Sequence, residues 1–354
     1  MKLICVTTGV ALLLTVPQQP QFRTRSDIVE VYTTVTGKDG AKVTDLRGDE
    51  FELLEDGKPR EISVFSALVQ PLSVAIILDH SGSTTSEFSQ VLQAAGVFIG
   101  RLFKEDRARI DTLGWDCAGF TGDRAKLIDT LQKPMPADPG SPIWSATDRA
   151  MAALVPESGR RVILLLSDGI DNQRDIVDAA VRSARAAAPP AGGSAPARGR
   201  GSAASDKPPT HNCVRADTSR LVILPEVIDR AERESVMVYA VAVPTRDPGG
   251  GVAMGGASSI GASGPPLTGP PLMERDPHAD LNKLAKRSGG SVQQLSDYAQ
   301  LTAAFKVIAD ELHLQYLIGF VPSKFDGKRH DITVRVKRPG VTVRARETYV
   351  GQAR

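Results

Sequence analysis

The feature that most constrains the fold is a short, continuously apolar run that ends in a carboxylate and two hydroxyls. The run is Val74 to Leu78 within "SVAIILDHSGS", and it is rich in β-branched residues. A strand that is apolar on both faces is typical of a parallel sheet covered by helices on both sides. Ligands of such sheets bind beyond the carboxyl ends of the strands, where Asp79, Ser81 and Ser83 follow. The segment therefore predicts an α/β domain with oxygen ligands at a strand end.

Two later segments add oxygen ligands of the same kind. "RVILLLS", Arg161 to Ser167, is a second apolar strand that runs into Asp168, and "PGSPIWSA" places Ser141 in a turn before a helix. Carboxylate and hydroxyl oxygens are hard donors that suit Mg²⁺, Mn²⁺ or Ca²⁺, whereas zinc sites use Cys and His. No Cys or His stands at matching spacing. Asp171 is interpreted as the cap of a helix that begins near Gln173.

The middle of the chain alternates strands and helices, which predicts a doubly wound, mostly parallel sheet with right-handed connections. Apolar residues recur at helical spacing from Phe88 to Phe103. The further predicted strands are Arg109 to Trp115, Val162 to Leu166 and Val236 to Val243. The further predicted helices are Arg124 to Leu131, Trp144 to Leu154, Arg174 to about Ala187, Asp280 to Arg287 and Leu301 to Leu312.

Both ends of the chain are rich in strand patterns. Near the start, Phe51 to Glu55 and Arg60 to Phe65 flank Asp56-Gly57, a strong hairpin signal. Three more strand-like runs lie between Leu314 and Val350. We expect residues 21–70 and 314–354 to fold together into an immunoglobulin-like β-sandwich of about seven strands, beside a central domain of residues 71–313.

Two stretches of the central domain lack periodicity and aromatic residues. Residues 188–219 and 244–276 are rich in Gly and Pro, the first also in Ala, Ser and Arg. We interpret both as mobile surface insertions, either contributing to partner choice or simply tolerated. Over the whole chain, 43 Lys and Arg against 41 Asp and Glu leave a net charge of +2, so a nucleic-acid partner is not expected.

The first twenty residues predict export. Lys2 precedes the apolar stretch Leu3 to Val16, which has the charged start and short apolar core of a secretory signal. An uncleaved anchor is the alternative, and membrane contact is expected only through it. A periplasmic, cell-envelope or secreted location follows in either case. An oxidising compartment would permit a disulfide between Cys117 and Cys213, and the sequence leaves their pairing open.

The order of these motifs resembles the von Willebrand factor type A domain, whose metal-ion-dependent adhesion site reads Asp-x-Ser-x-Ser, then Thr, then an Asp after a later strand. The resemblance implies five metal ligands in this chain: Asp79, Ser81, Ser83, Ser141 in place of Thr, and Asp168. It also implies that an Asp or Glu of a protein ligand completes the metal sphere. Over residues 22–350 the chain is similar to bacterial von Willebrand factor A-related proteins abundant in acidobacteria, although His80 and Ser145 depart from the usual pattern.

The sequence is compatible with three functions. The leading prediction is an exported, non-enzymatic binding or adhesion module that holds Mg²⁺, Mn²⁺ or Ca²⁺ and captures an acidic side chain of a partner. The second is a structural component in which the metal only stabilises loops. The third is a metal-assisted hydrolase, for which no Gly-x-Ser-x-Gly motif and no general base near the site can be defended.

Overall fold

The structure is a computed structural model that describes residues 28–138, 140–172, 213–217, 220–244, 276 and 278–353. The predicted signal segment, the predicted helix from Arg174 to Ala187 and most of both predicted insertions lie outside these ranges. Among the described helices, none combines the length and the apolar character needed to span a bilayer.

Within the described residues, the centre of the molecule is a seven-stranded, mostly parallel sheet. Its strands are β5 (Leu72–Leu78), β6 (Arg107–Thr112), β7 (Trp115–Thr121), β8 (Arg160–Ser167), β9 (Val214–Arg215), β10 (Met237–Ala242) and β11 (Val292–Gln294). Their spatial order is β11-β10-β8-β5-β6-β7-β9. The first five of these pair in parallel, whereas β7 is antiparallel to both of its neighbours. The chain therefore winds outward in both directions from β5.

Helices cover both faces of this sheet. They are α1 (Phe88–Arg101), α2 (Arg124–Gln132), α3 (Ile143–Leu154), α4 (Leu224–Glu234), α5 (Ala279–Ser288) and α6 (Leu301–Leu312). Helices α1, α2 and α6 share one core with Ile76, and helices α3, α4 and α5 share the other with Ile77. Successive side chains of a strand point to opposite faces, so each half of the apolar run fills one core. The predicted α/β class is confirmed.

The two chain ends build a β-sandwich together, as predicted. One sheet has the order β14-β1-β12-β4 and the other β15-β13-β2-β3. The strands are β1 (Val29–Gly37), β2 (Phe51–Glu55), β3 (Lys58–Arg60), β4 (Val64–Ser66), β12 (Tyr316–Phe320), β13 (Arg329–Val336), β14 (Val341–Arg344) and β15 (Thr348–Val350). N-terminal β1 pairs with β12, and β2 pairs with β13. The described strands number eight, rather than about seven.

Two predictions for the central domain were wrong in detail. The strand predicted to reach Trp115 ends at Thr112, because the backbone N–H groups of Leu113 and Gly114 donate to the Asp138 carboxylate and turn the chain. Trp115 then begins β7. Part of the predicted insertion 188–219 is also ordered, since Val214 pairs with Asp116 in the sheet.

A disulfide fastens this part of the sheet. Cys117 on β7 and Cys213 beside β9 are bonded, with sulfur atoms 2.08 Å apart. The sequence had left this pairing open. The bond joins β7 to the residue that precedes the edge strand β9.

Candidate functional site

The candidate site begins where β5 ends. Because β5 and β8 are neighbours in register, Leu78 stands opposite Leu166, and the Asp79 backbone N–H donates to the Leu166 carbonyl at 3.1 Å. The carboxyl ends of the two strands therefore meet at one edge of the sheet. This brings Asp79 together with Ser167 and Asp168, which follow in the chain from β8.

Asp79 carries a fully buried carboxylate that hydroxyls surround. Its Oδ1 accepts hydrogen bonds from the Ser81 backbone N–H at 3.0 Å and from the Ser81 hydroxyl, and its Oδ2 accepts from Ser167 Oγ at 2.7 Å. Burial, together with the negative charge of Asp168, raises the pKa of Asp79 to about 6. The site is therefore electrostatically unfavourable for the two carboxylates alone.

Further hydrogen bonds link the loop that follows β5 to the Asp168 carboxylate. Ser83 Oγ donates to Asp168 Oδ2 at 2.7 Å and lies 3.4 Å from Ser81 Oγ. The other oxygen of Asp168 accepts from the Ile170 backbone N–H at 3.1 Å. Four of the five predicted side chains thus form one continuous group: Asp79, Ser81, Ser83 and Asp168.

Ser141 is attached to the loop that carries Asp168. Its backbone N–H donates to Asn172 Oδ1 at 2.6 Å, and its carbonyl accepts from the Asn172 N–H at 3.2 Å. One residue earlier, Asp171 Oδ2 accepts from the Trp144 N–H at 3.1 Å, in the first turn of α3. Asp171 therefore contacts the first turn of α3, while the helix near Gln173 that it was predicted to cap lies outside the described residues. These contacts anchor the Ser141 turn to the Asp168 loop.

Three supporting residues were missed in the sequence. Thr84 Oγ1 donates to the carbonyls of Asp79 and Ser81 at 2.7 and 3.1 Å, which closes the first loop. Ser167 is hydrogen bonded to Asp79, as described above. Asp138 accepts from the backbone N–H of His80 at 3.0 Å. Only Ser167 carried a usable signal, since it stands at a strand end next to Asp168.

His80 packs as a structural side chain. Its ring stacks on Phe88 with centroids 3.6 Å apart, and its Nδ1 lies 3.2 Å from the Pro136 carbonyl. Burial lowers the pKa of His80. A neutral, stacked imidazole at this position holds the loop after β5 against α1.

The donor set consists of oxygen atoms. In the ranges that the structure describes, no three or more His, Cys, Asp or Glu side chains gather into a group able to hold a metal ion. The site instead combines two carboxylates with hydroxyls. Such donors suit hard cations, and hydroxyls contribute ligands without adding negative charge.

No family model matches the sequence, and no curated protein matches it. Solved structures do. The vWF domain of the type V pili tip protein Mfa5 from Porphyromonas gingivalis has 12% identity and a TM-score of 0.41, with 69% of this chain and 95% of that chain covered. A von Willebrand factor type A protein from Catenulispora acidiphila has 12% identity and a TM-score of 0.39, covering 94% of this chain and 76% of that one. The pilus adhesin SpaC from Lactobacillus rhamnosus GG, in an open conformation, has 9% identity and a TM-score of 0.41, with 88% and 43% covered.

The central domain resembles a von Willebrand factor type A domain in its architecture, as its motifs indicated. The resemblance lies in the doubly wound sheet and in the placement of Asp79, Ser81, Ser83 and Asp168 at its carboxyl edge. The narrower resemblance to acidobacterial proteins stays a prediction.

Proposed function

We propose that the central domain is a protein-binding module that captures an acidic side chain of a partner through a divalent cation. Asp79, Ser81, Ser83, Ser141 and Asp168 would hold Mg²⁺, or alternatively Mn²⁺ or Ca²⁺. The observation that carries the proposal is the buried Asp79 carboxylate, which shares one hydroxyl-lined group with Asp168.

The electrostatics of the site support a cation. Burial and the nearby Asp168 charge both favour the protonated form of Asp79, so a bound cation would favour the ionised form of both groups. The hydroxyls of Ser81 and Ser83 could then turn their lone pairs toward the metal, while their present acceptors become ligands as well. The bound ion would supply a positive charge at the surface.

The number of ligands supports an open position. Mg²⁺ prefers an octahedral sphere, and five protein oxygens would leave one position for an outside group. A carboxylate of a partner matches that position in charge and hardness. The pilus and adhesin proteins among the similar structures agree with a role in protein contacts at the cell envelope, and the predicted signal segment agrees with export.

Metal uptake is the first test. Calorimetric titration of the metal-free protein with MgCl₂ and MnCl₂ should show one saturable site, and Asp79→Ala should abolish it. Asp310→Ala, which removes an exposed carboxylate on α6, is the matched control and should bind as the wild type does. Failure of folded wild-type protein to take up either ion would refute the proposal.

Partner capture is the second test. A pull-down from cell envelopes is run with Mg²⁺, with a chelator, and with Asp79→Ala. We expect partners only with Mg²⁺ and the wild-type protein. The same partners in all three samples, despite metal uptake, would instead assign the metal a purely structural role.

A further inference from the structure

A cleft of about 360 Å³ lies between the central domain and the sandwich. Tyr32 and Arg346 line it from the sandwich, and Arg160 and Arg161 line it from the start of β8. Asp168 follows the other end of β8. The cleft and the oxygen site therefore lie at opposite edges of the central sheet.

Four arginines line this cleft, and three of them are at least partly buried without an ion pair among the described residues, while Arg233 is exposed. Arg160 is 4% exposed and Arg346 is 8% exposed, while Arg161 is half-buried. In the part of the chain that the structure describes, no carboxylate oxygen lies within 4.0 Å of their guanidinium nitrogens, and the Nε atom of each is buried without a hydrogen-bond partner. Buried guanidinium groups are normally paired, because desolvation of an unpaired charge is costly.

Uncharged groups satisfy only part of these donors. Arg160 donates to the Leu312 carbonyl at 2.9 Å and stacks over the Tyr32 ring at 4.4 Å. Arg161 donates to the Glu234 carbonyl at 3.0 Å, and Arg346 donates to the hydroxyl of the next residue, Ser235, at 3.2 Å. Contacts to consecutive residues bring Arg161 and Arg346 to the same turn after α4.

The carboxylates that line the cleft are engaged elsewhere. Glu232 accepts from Arg287 and Arg329 at 2.9 and 2.7 Å. Glu234 accepts from Arg230 at 2.9 Å through Oε1, while its Oε2 is buried without a hydrogen-bond partner. Glu30 accepts from the Tyr32 hydroxyl at 3.1 Å. Glu30 and Glu232 act on Arg346 only through longer-range attraction, and among the described residues none of the three arginines forms a direct ion pair.

We propose that the cleft binds a phosphate group, with Arg160, Arg161 and Arg346 as its ligands. A guanidinium presents a planar fork of donors that matches the oxygens of phosphate, and each of these three retains a buried Nε–H without an acceptor. A doubly charged phosphate offsets more of the three positive charges than a single carboxylate does. In a partly buried cleft the attraction is stronger than at an exposed surface.

Inorganic phosphate is the probe. Calorimetric titration of the full chain, in metal-free buffer at constant ionic strength, should show saturable binding that acetate does not reproduce. Arg161→Gln should weaken the phosphate Kd about tenfold, because it removes one charge-assisted ligand. Arg215→Gln, which removes an exposed arginine outside the cleft, is the matched control and should leave the Kd unchanged.

The variant Arg346→Gln tests phosphate binding in the cleft independently. If it folds, it should also lose about tenfold in phosphate affinity; if it does not, Arg161→Gln alone decides. Absence of saturable phosphate binding by folded wild-type protein would overturn the proposal, as would equal binding by the wild type and Arg161→Gln. Sedimentation with vesicles of phosphatidic acid, a phosphomonoester lipid, separates the sources: binding that depends on Arg161 assigns a lipid phosphate, and its absence beside saturable inorganic phosphate binding assigns a soluble one.

Discussion

Glu232 should be a main contributor to the stability of the contact between the two domains. Its carboxylate is fully buried on α4 and accepts hydrogen bonds from Arg287 of the central domain, and from Arg329 and Thr348 of the sandwich. Glu232→Gln would leave two guanidinium groups facing an amide. Breaking a buried ion pair by removing one partner costs about 3–5 kcal/mol.

The expected loss of unfolding free energy is smaller here, because both arginine partners are partly exposed. The side chains of Arg287 and Arg329 remain 28% and 42% exposed, so water can take over part of the lost interaction. We expect the unfolding free energy to fall by about 2–4 kcal/mol. Urea unfolding followed by tryptophan fluorescence measures the change.

Asp229→Asn is a matched control, because Asp229 pairs with the same Arg329 but its side chain is 47% exposed. This control should cost less than about 1 kcal/mol, as exposed pairs do. Equal losses for Glu232→Gln and Asp229→Asn would refute the reasoning that burial makes the difference.

Acidification provides a second check on the same residue. Burial opposes ionisation of Glu232, but hydrogen bonds from Thr348, Arg329 and Arg287 outweigh it and hold the pKa of Glu232 below its ordinary value. The stability that Glu232 contributes is therefore complete above the ordinary pKa of a glutamate, and it is lost as the pH falls through the lower folded value. The difference in unfolding free energy between the wild type and Glu232→Gln should therefore shrink as the pH falls.

Three further predictions concern other parts of the fold. A Cβ at Gly290 would overlap the Val238 carbonyl, so Gly290→Ala should lower the unfolding free energy by about 1–3 kcal/mol. Gly100 in α1 has open space around it, so Gly100→Ala should raise the unfolding free energy by about 0.5–1 kcal/mol. Urea unfolding compares the two variants, and changes of the same sign would contradict the packing argument. Cys117→Ser should cost about 2–5 kcal/mol, because the bond spans 96 residues, and reduced wild-type protein should match the variant in chemical denaturation. The His330 ring donates hydrogen bonds to the carboxylates of Asp56 and Asp326, which outweigh burial and raise the pKa of His330. Its stabilising contribution is therefore complete below the ordinary histidine pKa and is lost as the pH rises through the raised value. The difference in unfolding free energy between the wild type and His330→Gln, measured across this range, should close with rising pH, and a difference that widens would count against the prediction.

The sequence predicted the strands and helices that bury most of their surface. The run Val74 to Leu78 lies inside β5, and the predicted helix Leu301 to Leu312 coincides with α6. Helix α4 was missed although Leu224, Val227 and Ile228 occur at helical spacing, so that signal was available. Strand β9 gave no signal of its own, because two residues carry no pattern and depend on pairing with β7.

The candidate site was predictable where it depends on strand order alone. Asp79 and Asp168 follow apolar strands, and neighbouring parallel strands end at the same edge. The role of Asp171 was not predictable, because the sequence does not show which helix terminus the loop approaches. The Asp171 carboxylate accepts from the Trp144 N–H, and 27 residues separate the two in the sequence. Tertiary packing decides such contacts.

The sandwich also constrains the order in which the chain can fold. Strand β2 can pair at once with β3, but its second partner is made only with residues 332–336, and β1 and β4 wait for residues 316–320. A growing polypeptide thus carries β1, β4 and the β2–β3 hairpin without these partners through the synthesis of the whole central domain, and unpaired strand edges favour aggregation. Residues 29–66 should therefore be most prone to misassembly before the last forty residues emerge from the ribosome.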